Sequence, residues 1–442
     1  MTENVLEQNW SAASLLRFAL PTMSMMIFMG LYTMVDTVFA ARFVNTDALS
    51  AINIVCPVIQ LTVGLGTMLA AGGNAIVSRK MGAGAYEEAR EDFTLLVIVS
   101  GFTGLLILAA GTVWMEELLL VLGASPRLFP YCKAYLTILL LFLPAGILQT
   151  FFSNLFVTAG KPGLGLWLSV LAGLANIALD YLFMVPCDLG IRGAALGTGF
   201  GYLIPALAGL WHFARARGTL FFTRPRWNGP VVRESCLNGS SEMVSQLAAA
   251  VTTFLFNRTM MSLLGEDGVA AITIVIYVQF LLNTLYIGFS IGIAPVIGFN
   301  YGNQNNDMQR RVVRISLGFL GTASLVIFLA ARLGGAWIVG LFADPSSAVY
   351  AIGVPGFVIF SYSFLFCGFN SYTSALFTAL SNGKVSAALS FFRTFGLLTG
   401  NIMILPRIFG VTGVWLAVPA AEFMMFLVSA GCMRKFSRFV QI

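Results

Sequence analysis

The sequence predicts an all-α polytopic membrane protein: twelve transmembrane helices in two six-helix lobes related by pseudo-two-fold symmetry. Three observations carry this expectation. The 442 residues are 58% hydrophobic and only 10% charged. A soluble domain carries about 25% charged residues, so there is too little polar material here to cover a globule. Apolar runs close to the roughly 20 residues that cross a bilayer recur along the chain. The chain also matches itself at an offset of 220 residues, as from Gly82 to Gly302.

Taken in order, the apolar runs are residues 15–40, 48–71, 93–113, 134–157, 164–185, 194–213, 243–264, 270–298, 312–331, 351–377, 385–405 and 414–433. The first eleven residues are polar and acidic, without the basic head of a cleavable signal. The first span is therefore expected to stay in the protein. The basic stretch 214–238, holding Arg224, Arg226 and Arg233, is the longest polar interval. It divides an N-lobe (1–213) from a C-lobe (239–442).

The internal match supports that division. Asp47 to Val55 (DALSAINIV) aligns with Asp267 to Val275 (DGVAAITIV), and Arg90 with Arg310. Pro186, Gly190 and Gly193 align with Pro406, Gly410 and Gly413. Six spans per half is an even number, so both halves enter the membrane in the same sense. They are parallel repeats about an axis along the membrane normal.

Net charge is +6, and its placement speaks for orientation rather than for nucleic acid. With the N-terminus inside, Arg79, Lys80, Arg215, Arg217, Arg310, Arg311, Arg434 and Lys435 all fall on one side. That asymmetry places both termini in the cytoplasm. The six cysteines are scattered and read as packing residues. The lone His212 reads as interfacial.

Ionisable residues at or inside spans are functional hypotheses by default, because an aspartate at a helix centre costs roughly 2.5–3.5 kcal/mol. They are Asp36, Asp180, Glu242, Arg258, Arg393 and Glu422. In the first half, Asn176 and Asp180 are four apart and share one face of span five. With Asp36 on span one and Thr198 on span six, they offer oxygen ligands suited to an alkali cation, or two carboxylates that share a proton. The bland alternative is an interfacial Asp36 and an Asp180 bonded to Asn176. In the second half, Glu242 either caps the start of span seven or faces the cavity. Glu422 and Arg393 suit a buried salt bridge, and Arg258 can snorkel. Gln60, Gln149, Asn154, Gln279, Asn283, Tyr286 and Asn370 are further polar residues in spans. Together with Glu242, Arg393 and Glu422 they are candidates for the wall of a substrate cavity.

No phosphate-binding loop and no nucleophile constellation appears. An enzyme is not expected, and energy for transport falls to an ion gradient. At this point the chain resembles the multidrug and toxic compound extrusion (MATE) family over essentially its whole length, in its MepA-like bacterial branch. The resemblance is carried by Val35-Asp-Thr-Val-Phe-Ala-Ala, Gly72-Gly-Asn, Asn176-Ile-Ala-Leu-Asp, Gly190-Ile-Arg-Gly-Ala-Ala and Gly413-Val-Trp-Leu-Ala-Val-Pro-Ala-Ala-Glu.

It implies export of cationic and amphipathic compounds in antiport with H+ or Na+, by alternating access. It also implies an N-lobe cation site of Asp36, Asn176, Asp180 and Thr198. No cofactor beyond the coupling ion is expected, and no metal beyond Na+. The expected partners are small amphipathic molecules and the lipid bilayer, for a monomer in the bacterial plasma membrane. The alternative is a flippase for lipid-linked oligosaccharides, which shares the lobe architecture.

Overall fold

The computed structural model describes residues 4–43 and 46–440, with side chains described for all of these except 33–43, 46, 49 and 436–440. The described residues form helices and connecting turns, with no strand among them. This is the form open to a chain in hydrocarbon, where every backbone polar group must find its partner within the segment. In the N-half, α1 (Ala12–Phe43), α2 (Thr46–Gly82) and α3 (Tyr86–Val113) are followed by a short α4 (Met115–Val121). Then come α5 (Phe129–Thr158), α6 (Pro162–Met184) and α7 (Ile191–Arg215).

The second half opens with α8, a 74-residue helix over Gly229–Gly302 that turns at Gly265, where φ is 66° and ψ −150°. Glycine tolerates that conformation and other residues do not. The turn makes two spans of one helix. Among the described residues, eleven helices are long and apolar enough to cross a membrane, and dividing α8 at Gly265 yields twelve crossings. α9 (Asn306–Gly340) follows, then α10 (Ala348–Phe360) and α11 (Phe364–Ala379), joined through a 3-10 turn at Ser361–Ser363. α12 (Gly383–Phe391) continues through a π-helical segment, Phe392–Leu398, into α13 (Thr399–Phe409), and α14 (Val411–Val440) ends the chain.

Two details differ from the sequence expectation. Span seven does not begin near Glu242. Its helix starts at Gly229, with Asn228 at the N-cap, so Glu242 lies three to four turns inside it and caps nothing. The last residues of the polar stretch 214–238 are thus helical. The rest of that stretch is a strap on the N-half. Arg90 Nε donates to the carbonyl of Thr219 at 3.0 Å, Thr223 N donates to Thr94 Oγ1 at 3.1 Å, and Phe222 stacks on Phe93 with centroids 5.4 Å apart.

The halves meet along α1 and α2 on one side and α8 on the other. A methyl group at Gly82 would overlap the carbonyl of Phe299, and one at Gly302 the carbonyl of Arg79. Each member of the first contact maps onto the second by the same 220-residue offset. Higher in the bundle, Gly239 packs on the backbone of Met68 in one crossing and Gly288 on that of Met23 in the other, while Gly72 and Gly292, again 220 residues apart, pack on Ser235 and Ala19. Small residues let helix backbones touch where lipid gives no hydrophobic drive to associate. The pseudo-two-fold is therefore built into the contact itself.

These approaches cluster on the face that carries the first residues of the chain, which is closed. The N-terminal segment helps to close it. Leu6 and Trp10 are fully buried, Trp10 Nε1 donates to the Leu6 carbonyl at 3.4 Å, and the indole packs edge-on to Phe18.

Candidate functional site

In the N-half, α6 and α7 press together along a glycine stripe. Asn176 and Asp180 point from α6 at Gly201 and Gly197 of α7, two glycines that are also four apart. The Asn176 Cβ would stand 3.3 Å from a Cβ at Gly201, and the Asp180 carboxylate occupies the space of a side chain at Gly197. Both acceptor-bearing residues are buried, at 2% and 1% exposure. Neither atom of the Asn176 amide has a hydrogen-bond partner among the described residues, although a buried amide normally finds one. Thr198, half-buried, borders the same stripe.

α1 lies along this pair. Gly173, one turn before Asn176, packs on Phe28 and Tyr32, with Tyr32 Cγ 3.6 Å from the place of a Cβ. Asp36 follows Tyr32 by one helical turn on α1. It lies outside the residues whose side chains are described.

In the C-half a different arrangement holds the acid. Arg393, inside the π-helical segment, donates to Glu422 Oε1 from Nε at 2.9 Å and from Nη2 at 2.7 Å. Its Nη1 donates to Ser371 Oγ at 3.1 Å. The other oxygen of Glu422 accepts from Asn370 Nδ2 at 2.7 Å, and Ser429 Oγ donates to Asn370 Oδ1 at 3.0 Å. Nearby, Cys367 Sγ donates to Asn283 Oδ1 at 3.3 Å. α8, α11, the π segment and α14 are thus tied by one polar cluster. Its acid is neutralised by two charge-assisted bonds from one guanidinium to a single oxygen.

The remaining polar residues scatter. Tyr286 is 1% exposed, with its hydroxyl donating to Ser324 Oγ at 3.2 Å. It therefore sits in the C-half core behind α9 and does not share an open wall with Gln279 and Asn283, which are half-buried. Asn154 is buried and returns its amide to the Thr150 carbonyl at 3.1 Å. Gln149 and Gln60 are half-buried, and Gln149 Oε1 has no partner among the described residues. Glu242 is half-buried one turn from Gln246, which packs on Gly64 of α2. Its carboxylate thereby lies beside the seam between the halves, with no ion pair to it among the described residues. Arg258 is exposed.

A family model described as MatE matches residues 21–182 and 243–400, one segment in each half. The chain belongs to the MatE family. Among similar MatE relatives is Multidrug export protein MepA of Staphylococcus haemolyticus, 24% identical over 424 residues that cover 92% of this chain and 90% of that protein. The protein of the same name in Staphylococcus aureus is 21% identical over 420 residues, again 92% and 90% of the two chains.

Solved MatE structures share the fold. A MATE in complex with MaL6 superposes with a TM-score of 0.94 at 20% identity, over 100% of both chains. A structure described as the outward-facing conformation of a multidrug resistance MATE family transporter gives 0.93 at 20% identity, over 100% of this chain and 99% of that one. At this identity the likeness speaks for fold. This MatE chain is a multi-pass membrane protein.

Sequence reasoning did not find Ser371, Ser429 and Cys367, the partners that complete the C-half cluster. Their type gave no signal, since serines and cysteines in spans are common packing residues. The glycines at 197 and 201 did carry one, the same four-residue spacing as Asn176 and Asp180, set on the neighbouring helix.

Proposed function

We propose that the chain is a secondary active exporter of cationic and amphipathic compounds, working by alternating access in antiport with H+ or Na+. The observation that carries the reading is the Asn176–Asp180 face of α6. The Asn176 amide, 2% exposed and without a hydrogen-bond partner among the described residues, is buried one turn from the Asp180 carboxylate against the glycine face of α7. A buried amide left open is unfavourable unless a guest completes it. Oxygen donors of this kind suit Na+, and a buried carboxylate equally suits a proton. With Asp36 and Thr198 they form the coupling site of the proposal.

In the C-half, Glu422 already has its cation in Arg393, so the acid there needs no mobile ion. Glu242, half-buried beside the seam without an ion pair among the described residues, suits attraction of a cationic substrate. Coupling then requires that the ion bind the two conformations with different affinity, because equal affinity shifts nothing.

The proposed setting is the bacterial plasma membrane, with both termini and the closed face in the cytoplasm, in keeping with the basic loops on that side. The closed face makes this conformation the outward-facing one, from which drug leaves and the external ion enters. One chain supplies both halves of the cavity, which suits a monomer.

The deciding experiment loads proteoliposomes with a cationic dye and imposes either a proton or a sodium gradient. Gradient-driven efflux that one of the two ions sustains is expected. Efflux indifferent to both gradients would remove the antiport reading.

A further inference from the structure

A cavity of about 520 Å³ lies at the closed face, between the first turns of α8 and the start of α12. It borders the seam, where Glu234 meets Arg79 of α2, and is separate from both polar clusters described above. Its lining includes Arg233, Glu234, Asn238, Ser381 and Lys384, and what these groups present is nearly all donor. Arg233 and Lys384 are exposed and make no ion pair among the described residues. Glu234, the one acid of the lining, is engaged by Arg79 Nη1 at 2.9 Å, so its charge is spoken for.

Two buried groups point to a ligand. Asn238 is 2% exposed, and its carboxamide is oriented by the Gly383 N–H, which donates to Oδ1 at 3.0 Å. That bond fixes Nδ2 on the other side, where it has no partner among the described residues. Ser381 Oγ is likewise buried without a partner, on a residue held at a φ of 57°. A left-handed conformation is uncommon for serine and costs energy to maintain. The packing that holds Asn238 here is close, since a side chain at Gly383 would overlap the carbonyl of Leu237. α8 also begins at the rim, where Gly229 and Pro230 line the cavity, so the positive end of the helix lies there.

Two cations, an amide donor and a hydroxyl amount to more positive character than a carboxylate would match. They suit a phosphate, which takes several charge-assisted donors at once. The rim is apolar and interfacial as well. Leu237 is exposed at the cavity wall, and Trp227, exposed, stands beside Gly229. An exposed tryptophan at helix ends marks headgroup depth, and basic pockets between spanning helices hold anionic headgroups.

We propose that this cavity binds a phosphate group through Arg233, Lys384, Asn238 Nδ2 and Ser381 Oγ, supplied by an anionic phospholipid headgroup or by free phosphate. The test uses the full chain in a maltoside detergent, which carries no phosphate. Phosphatidylglycerol, diacylglycerol and inorganic phosphate are added separately. Binding is read by native mass spectrometry and by the shift in melting temperature. The variant is Arg233→Ala/Lys384→Ala, which changes only exposed side chains and spares the fold. Asn238→Asp, which keeps an acceptor for Gly383 N but puts charge where the donor stood, is the second variant.

The wild type is expected to bind phosphatidylglycerol and not diacylglycerol, and both variants to bind it at least about tenfold more weakly. Stabilisation by inorganic phosphate, lost in the same variants, assigns the site to the free anion. Equal binding of phosphatidylglycerol and diacylglycerol, equal binding by wild type and variants, or no binding of either phosphate source overturns the proposal.

Discussion

The carboxylate of Asp180 stands where a side chain at position 197 would have to go. The acid on α6 and the glycine on α7 are therefore one feature, and the helix pair closes only because one partner has no Cβ. Gly197→Ala should push the carboxylate out of line while leaving every proposed ligand in the sequence. At least a tenfold loss of dye efflux is expected, with normal protein in the membrane. The coupling-ion concentration for half-maximal efflux should rise. An alanine variant with unchanged ion dependence would show that the close approach is packing alone.

Neutralising the acid tests the same site directly. Asp180→Asn keeps size and hydrogen-bonding capacity and removes the charge that a proton or cation would balance. Efflux should fall to background with the protein still inserted and monodisperse. Because the neutral side chain removes a charge that is expensive in hydrocarbon, the variant should melt no lower than the wild type. Retained gradient-driven efflux would place the coupling site elsewhere.

Much of this arrangement was legible in the sequence. Hydropathy alone gives the twelve crossings, since lipid forces long apolar helices, and the 220-residue self-match gives the symmetry later seen in the Gly82 and Gly302 contacts. The spacing of Asn176 and Asp180 gives their shared face. What was not legible depends on partners far apart in the chain. Nothing near Glu242 announces that its helix begins at Gly229, because the first turns of α8 are polar and sit outside the apolar window. Gln279, Asn283 and Tyr286 were all candidates for the cavity wall, yet Tyr286 turns into the core behind α9, where its hydroxyl meets Ser324 of a helix far along the chain. The bend at Gly265 and the π segment around Arg393 are local backbone choices that periodicity does not encode.

The Arg393–Glu422 pair should behave as a structural clamp. Removing one partner by Arg393→Ala or Glu422→Ala leaves a buried charge uncompensated, a loss of about 3–5 kcal/mol. Replacing both, as in Arg393→Met/Glu422→Leu, should recover most of that loss, because a well-packed apolar pair is often neutral relative to a buried ion pair. Thermal melting of the four proteins in detergent measures the cycle. The double variant should also keep ion-driven efflux, and its loss would mean that the pair takes part in coupling.

The closed face offers a test that uses the symmetry. Gly82 meets the Phe299 carbonyl and Gly302 meets the Arg79 carbonyl, so the two contacts are copies of one design. Alanine at either position must force the backbones apart at the end of the bundle where they now touch. Neither glycine lies near Asp180 or Glu422, so ion and drug contacts are left intact. The expected result is a shift toward the conformation open at this face, by similar amounts for Gly82→Ala and Gly302→Ala and further for the double variant. Labelling of a cysteine introduced at Ser78, whose hydroxyl is buried against Gly298 in this conformation, reads that opening with a water-soluble maleimide. Faster labelling in both single variants is expected. If only one of the two accelerates it, the halves do not share the closure equally. If neither does, the glycine contacts do not hold the face shut.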